Sequence, residues 1–304
     1  TLSFTTTPTP PLTRRLYQPI NEAPGPPPRA YVDDAWTSVL YLAGPEANKL
    51  QLNPELMKGV KPWPNPGEDV SSKPPTDDWP FLYLEFSTFG ASLYFGVLLV
   101  SVILPALLLT RGKRDISSGA WGNMFFLGQA FMLVETKSIT QLSLFFGATW
   151  LVSSVVIACV LTLAFFSNWC AGRVAREKMP FIYVGLLLAL AVDYFFQVPT
   201  NTEIPQLGLA GIATLIGCLP IFFGGLIFSL CFREAKAPAQ YLAANLLGVA
   251  VGGLTENLCL ATGIKGLVLI AMGLYAMSFA ALQFSAKKPS DSDQTAGLPG
   301  EISS

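Results

Sequence analysis

The sequence predicts an all-α integral membrane protein: a bundle of about seven transmembrane helices behind a proline-rich, mostly irregular N-terminal extramembrane segment. Three observations carry that expectation. Only 13% of the 304 residues are charged, against about 25% in an ordinary soluble domain, and the deficit is concentrated between residues 80 and 285. Within that stretch, apolar runs of about 20 residues recur, each long enough for roughly 30 Å of hydrocarbon. Basic residues then gather in every second connection between the runs, as the positive-inside rule requires of a multi-pass chain.

The elements follow in order. Residues 1–80 hold 16 of the 24 prolines. PTPPL and APGPPPRA read as extended, polyproline-like chain, because proline fixes φ and donates no hydrogen bond. AWTSVLYL (residues 35–42) is expected to form one strand or helical turn, and NPELMKGVKPWPNPGED is loop chemistry. The segment shows too little apolar periodicity to bury a core alone, so it is expected to order against something else or stay partly disordered. Spans are predicted at about 86–110, 117–137, 148–168, 180–198, 208–232, 239–260 and 264–284, the second extendable to Gly147. They make up a membrane domain of residues 81–285, followed by a disordered tail, 286–304.

Arg111, Lys113 and Arg114 follow the first span. Arg173, Arg176 and Lys178 follow the third, Arg233 and Lys236 the fifth, and Lys287 and Lys288 lie in the tail. The alternate connections carry only Lys137 and Lys265. This alternation places the C-terminus in the cytoplasm and the N-terminal segment outside. Trp79, Trp121, Trp150 and Trp169 fall near span ends, where an aromatic belt sits. The chain starts at Thr1, which is read as processing or truncation.

Much chemistry is excluded. There is no histidine, which removes the commonest general base and metal ligand. No glycine-rich nucleotide loop, HExxH or GxSxG appears, so no catalytic, cofactor-binding or metal residue is assigned. A net charge of −1 offers nothing to nucleic acid. The five cysteines lie in or beside apolar runs without a CxxC pair and read as small buried residues.

What remains is intramembrane charge, which is costly and calls for a partner or a function. Glu135 and Lys137 lie in the second span, Asp193 in the fourth and Glu256 in the sixth. All three acids fall past the midpoints of outward-running helices, so they are expected to cluster in the outer half, near Glu85 and Lys265. A pocket for an ion, proton or headgroup competes with a structural network built on Lys137, and the network is favoured. Gly248 and Gly252 form a GxxxG step flanked by Asn245, which reads as close helix packing. Gly224-Gly225 after Pro220 reads the same way, against a broken helix of the transporter kind. Phenylalanine pairs such as Phe165-Phe166 suit lipid, and contact with bound lipid or pigment is compatible with them.

FFLGQAFMLVETKSITQLSLFFGATWLVSSVVIACVL (residues 125–161), PIFFGGLIFS (220–229) and NLLGVAVGGLTENLCLATG (245–263) resemble blocks of bacterial spermidine-synthase-like or methyltransferase-like polytopic membrane proteins. TDDWPFLYL (76–84) resembles the junction before that family's C-terminal helices. Asn257 and Cys259 depart from the third block. The resemblance implies the family's membrane domain without the catalytic domain that precedes it, and hence a bacterial inner membrane. Three functions are expected, in this order: a non-catalytic accessory subunit of a larger membrane complex, respiratory or photosynthetic; a transporter or lipid-handling protein using the outer-half acids; and the membrane part of such an enzyme. The expected partners are membrane lipids and other membrane subunits.

Overall fold

The computed structural model describes residues 2–6, 10–23, 25–50, 53–55, 57–64, 66, 75–76, 78–80, 96–97, 100, 116–146, 150–196 and 206–287. The chain divides into two compact units, Thr1–Leu93 and Tyr94–Ser304.

The first unit corrects the expectation of a mostly irregular segment. It contains four strands, β1 (Leu2–Thr6), β2 (Arg29–Asp33), β3 (Val39–Ala43) and β4 (Val60–Pro62), and a helix, α1 (Pro10–Glu22). The strands form one antiparallel sheet in the order β1-β3-β2-β4. PTPPL is not extended throughout, because Pro10 and Pro11 occupy the first turn of α1. The amides that proline lacks there would go unpaired in any helix. Leu12, Leu16 and Tyr17 recur at helical spacing. Leu12 is buried, and Leu16 and Tyr17 pack against Ala30, Val32, Val39 and Tyr41 of the sheet.

The opposite face buries Tyr31, Leu42 and Ala47 under Met57 and Val60. Because both faces are covered, β2 and β3 lack a simple in–out alternation, and a period-2 search passes over them. Pro62 is tolerated because β4 is an edge strand. The β2–β3 turn is tied by Asp33, whose carboxylate accepts the amide N–H groups of Thr37 and Ser38 at 2.7 and 2.8 Å. The Thr37 hydroxyl also donates to this carboxylate, and that bond, together with those from the two amides, holds its pKa below the ordinary value. Trp36 in the same turn has φ +53°.

The second unit is helical. Its described long helices are α2 (Ser118–Phe146), α3 (Trp150–Ala171), α4 (Met179–Phe195), α5 (Gln206–Arg233) and α6 (Pro238–Thr255). A short turn, Glu256–Leu258, and the four-residue α7 (Cys259–Thr262) lead to α8 (Ile264–Lys287). The sixth predicted span is therefore helical only to Thr255 before it tightens. Gly263, at φ +81°, turns the chain into α8, a conformation glycine adopts without steric cost. The broken-helix alternative does not appear: α5 runs through Pro220 and Gly224-Gly225 without interruption.

Among the described residues, five helices are long and apolar enough to cross a membrane: Ser153–Ala171, Arg176–Phe195, Gly211–Arg233, Pro238–Thr262 and Ile264–Phe284. Apart from residues 96, 97 and 100, which are helical, the predicted first span lies outside the described residues, as do its flanking Arg111, Lys113 and Arg114, Glu85, and the tail from residue 288.

The 29-residue α2 is not one of the five, since Asn123, Gln129, Glu135 and Lys137 interrupt its apolar run. It is nonetheless the hub of the bundle, packing on α8 and α6 and also on α5 and α3. Its neighbours are protein, and Met124, Leu127, Ala130 and Leu133 are buried among them. A helix enclosed by other helices can carry polar side chains that meet partners there, which a lipid-facing helix cannot.

Candidate functional site

The charged residues singled out in the sequence converge on one level of α2 without forming one site. Successive helical residues point about 100° apart, and two neighbours use this to address different helices. Lys137 turns to α4 and forms an ion pair with Asp193, both side chains being almost completely buried. Thr136 turns towards the end of α6, where its hydroxyl donates to Glu256 Oε2 at 2.6 Å. Glu135 is half-buried. The structure thus joins Lys137 to Asp193 and ties Glu256 to Thr136, one residue away and about 100° around α2.

The ion pair is packed closely. Ser138, next to Lys137, hydrogen-bonds the Val134 and Gly217 carbonyls at 2.8 and 3.2 Å. A Cβ on Gly217 would touch both Ser138 and Asp193, at 3.4 and 3.8 Å. Cys218, fully buried, follows it. One Asp193 oxygen, Oδ2, is buried without a hydrogen-bond partner. Lone buried charges are prohibitive, and a pair is tolerated because each ion replaces the other's lost hydration.

The glycine step lies on the α2–α6 contact. A Cβ on Gly248 would run into the Phe125 carbonyl oxygen, and one on Gly252 would lie 2.7 Å from that of Gln129. Asn245 donates to the Met124 carbonyl at 3.1 Å, and Gln129 donates to Thr255 at 3.1 Å. Backbones this close exclude any side chain between them, which is what small residues permit in a membrane bundle. Gly128 faces Asn245 in the same way and completes the contact from the α2 side.

Sequence reasoning missed a second buried polar network. Asn123 of α2 donates to Tyr183 Oη of α4 at 2.8 Å and to Ser278 Oγ of α8 at 2.9 Å. Tyr183 and Ser278 are themselves 2.9 Å apart, and Ser278 donates back to the Asn123 carbonyl. All three residues are buried. None is charged, so a search for intramembrane charge does not find them. The available signal was an asparagine inside an otherwise apolar run, since its amide needs partners there.

A cavity of about 650 Å³ opens elsewhere in the bundle. Glu135, Lys137, Asp193 and Glu256 are not among its lining residues. Among the described residues, no three or more Cys, Asp or Glu side chains are grouped to hold a metal ion. No protein-family model, curated protein or solved structure matches the chain.

Proposed function

We propose that this chain is a non-catalytic integral membrane subunit that acts by packing against other membrane proteins and lipid. The observation that carries this reading is the use of its intramembrane polar groups as ties between helices. Lys137 closes on Asp193, Glu256 on Thr136, and Asn123 on Tyr183 and Ser278, while the cavity is lined by other residues. A transporter using the outer-half acids would need them to share a water-accessible space, and the cavity is lined by none of them.

Two further features support the reading. Phe165, Phe166 and Trp169 of α3 and Phe181 and Phe195 of α4 leave large apolar surfaces exposed on the bundle, fit for lipid or a neighbouring subunit. The first unit carries its own sheet and core, and offers a folded surface for contacts outside the membrane. A multi-subunit energy-transducing complex, respiratory or photosynthetic, in a bacterial inner membrane is the natural host, with the first unit periplasmic and the C-terminus cytoplasmic. The resemblance to the membrane domain of spermidine-synthase-like or methyltransferase-like proteins agrees with a membrane bundle.

The test is purification from native membranes in gentle detergent, followed by native mass spectrometry and cross-linking. The expected result is stoichiometric migration in a larger complex, with residues 1–80 cross-linked to neighbours. A chain that runs alone or only with copies of itself overturns the reading.

A further inference from the structure

The cavity lies between α2, α3, α5, α6 and α8, all within the second unit. Its walls are mostly apolar: Leu127, Phe131, Phe228, Phe232 and Val249 line it, with Ser167, Ser229 and Asn245 among them. Its two ends differ. One end is bounded by Arg233, Gly172 and Asn168, at the C-terminal ends of α5 and α3. The other reaches Gly224 and Tyr275 in the interior of α5 and α8. Gly224 and Arg233 are nine positions apart on one helix, so the cleft runs about 13 Å along the bundle at ~1.5 Å per residue. That is close to half of a ~30 Å hydrocarbon core, the depth of one leaflet.

The polar end is strongly basic. The connections there carry Arg173, Arg176, Lys178, Arg233 and Lys236 against Glu177 and Glu234. Glu234 is engaged by the Arg176 guanidinium. Arg233 donates one hydrogen bond to the Ala171 carbonyl at 2.6 Å and stands 3.9 Å from Glu234. A guanidinium has five donors, so it keeps capacity for an anion while remaining fixed to α3.

We propose that this cleft is a binding site for an anionic phospholipid, with one acyl chain in the groove and the headgroup phosphate on Arg233. Length, wall chemistry and charge agree on that occupant. The groove is as deep as a leaflet, it is lined by aromatic and aliphatic side chains, and a phosphate is the anion that a fixed guanidinium in a basic rim selects. Gly224 and Tyr275 form the inner stop: a Cβ at Gly224 would lie 3.2 Å from the Tyr275 hydroxyl. That hydroxyl is fully buried and has no hydrogen-bond partner, and an acyl chain leaves it so. The proposal requires only that these helices lie in a membrane, and holds whether or not the chain has protein partners.

The experiment is native mass spectrometry of the full chain in detergent, with phosphatidylglycerol or phosphatidylcholine of identical acyl chains added. The wild type is expected to retain one phosphatidylglycerol in preference to phosphatidylcholine. Arg233→Gln should reduce that preference about fivefold, the effect of one basic group on an anionic lipid, and Arg233→Lys should keep most of it. Ala164→Phe, which fills the groove, should lower retention of both lipids. Tyr275→Phe should change neither. Equal retention of the two lipids by the wild type overturns the proposal. So does unchanged preference in a folded Arg233→Gln chain, or full retention by Ala164→Phe should the Arg233 variant not fold. Loss of retention in Tyr275→Phe also overturns it, because the ligand would then carry an oxygen at the inner end of the cleft.

Discussion

Lys137 and Asp193 show why a buried charge is informative only in context. Either ion alone would sit among apolar side chains at a large cost in lost hydration, whereas together they form a tie between α2 and α4. Lys137→Met is expected to destabilise the bundle by about 3–5 kcal/mol, because it leaves Asp193 charged, buried and alone. The double variant Lys137→Met/Asp193→Leu should recover most of that loss, since removing both charges removes the need for either. Thermal unfolding of the purified chain in detergent measures both. A double variant as unstable as the single would mean that Asp193 has another essential partner, and the reading of the pair as a structural tie would fail. The identities of the charged residues were legible in the sequence, as was their common depth. Their partition was not, because it depends on which helix stands at each azimuth of α2.

At the scale of the element, α2 and α6 are held by contact between backbones. Gly248 is the tightest point, where an added Cβ would run into the Phe125 carbonyl oxygen. Gly248→Ala is therefore expected to cost about 1–3 kcal/mol by overpacking, seen as a lower unfolding temperature, whereas the same change at Gly273 should be nearly neutral, since nothing lies within 4 Å of a Cβ there. Equal effects at the two positions would remove the α2–α6 contact as the reason for the glycine. GxxxG spacing made this contact readable in advance. Gly128, on the opposing helix, had no such spacing and needed the packed structure. Helix α1 illustrates the reverse failure. Its prolines suggested extended chain, yet Leu12, Leu16 and Tyr17 gain more by docking on the sheet than the prolines cost in a first turn and at Pro19.

For the molecule as a whole, the division into a sheet-containing unit and a helical unit predicts separable folding. A fragment of residues 1–80 should show strand structure and a cooperative melt in water, with Val39 and Tyr41, both fully buried, in its core. Its stability should fall in acid. The pKa of Asp33 is depressed in the fold by its bonds to Thr37 and Ser38, so those bonds support the fold above the unfolded value of about 3.9 and are lost as pH drops through the lower folded value. Melting temperatures recorded from pH 7 to pH 2 provide the check. A fragment without cooperative unfolding would show that the sheet depends on the rest of the chain, and Asp33→Asn should abolish the part of the acid sensitivity that arises in this turn.

By itself the sequence determined the helical, membrane-compatible character of residues 150–196 and 206–287, the limits of most described helices to within a few residues, and the charged residues in apolar runs that needed partners. These are properties of local composition and length: apolar runs, breaks and buried charge are written along the chain. Tertiary structure decided the rest. It made α2 the hub despite its polar residues, joined Asn123 to Tyr183 and Ser278 across 60 and 155 positions, and folded a proline-rich segment into a sheet covered on both faces. It also opened a cleft between five helices. Each of these depends on which surfaces meet. A residue's own neighbours in sequence set its conformational preferences, but its dielectric surroundings, hydrogen-bond partners and free space are supplied by residues far away in the chain.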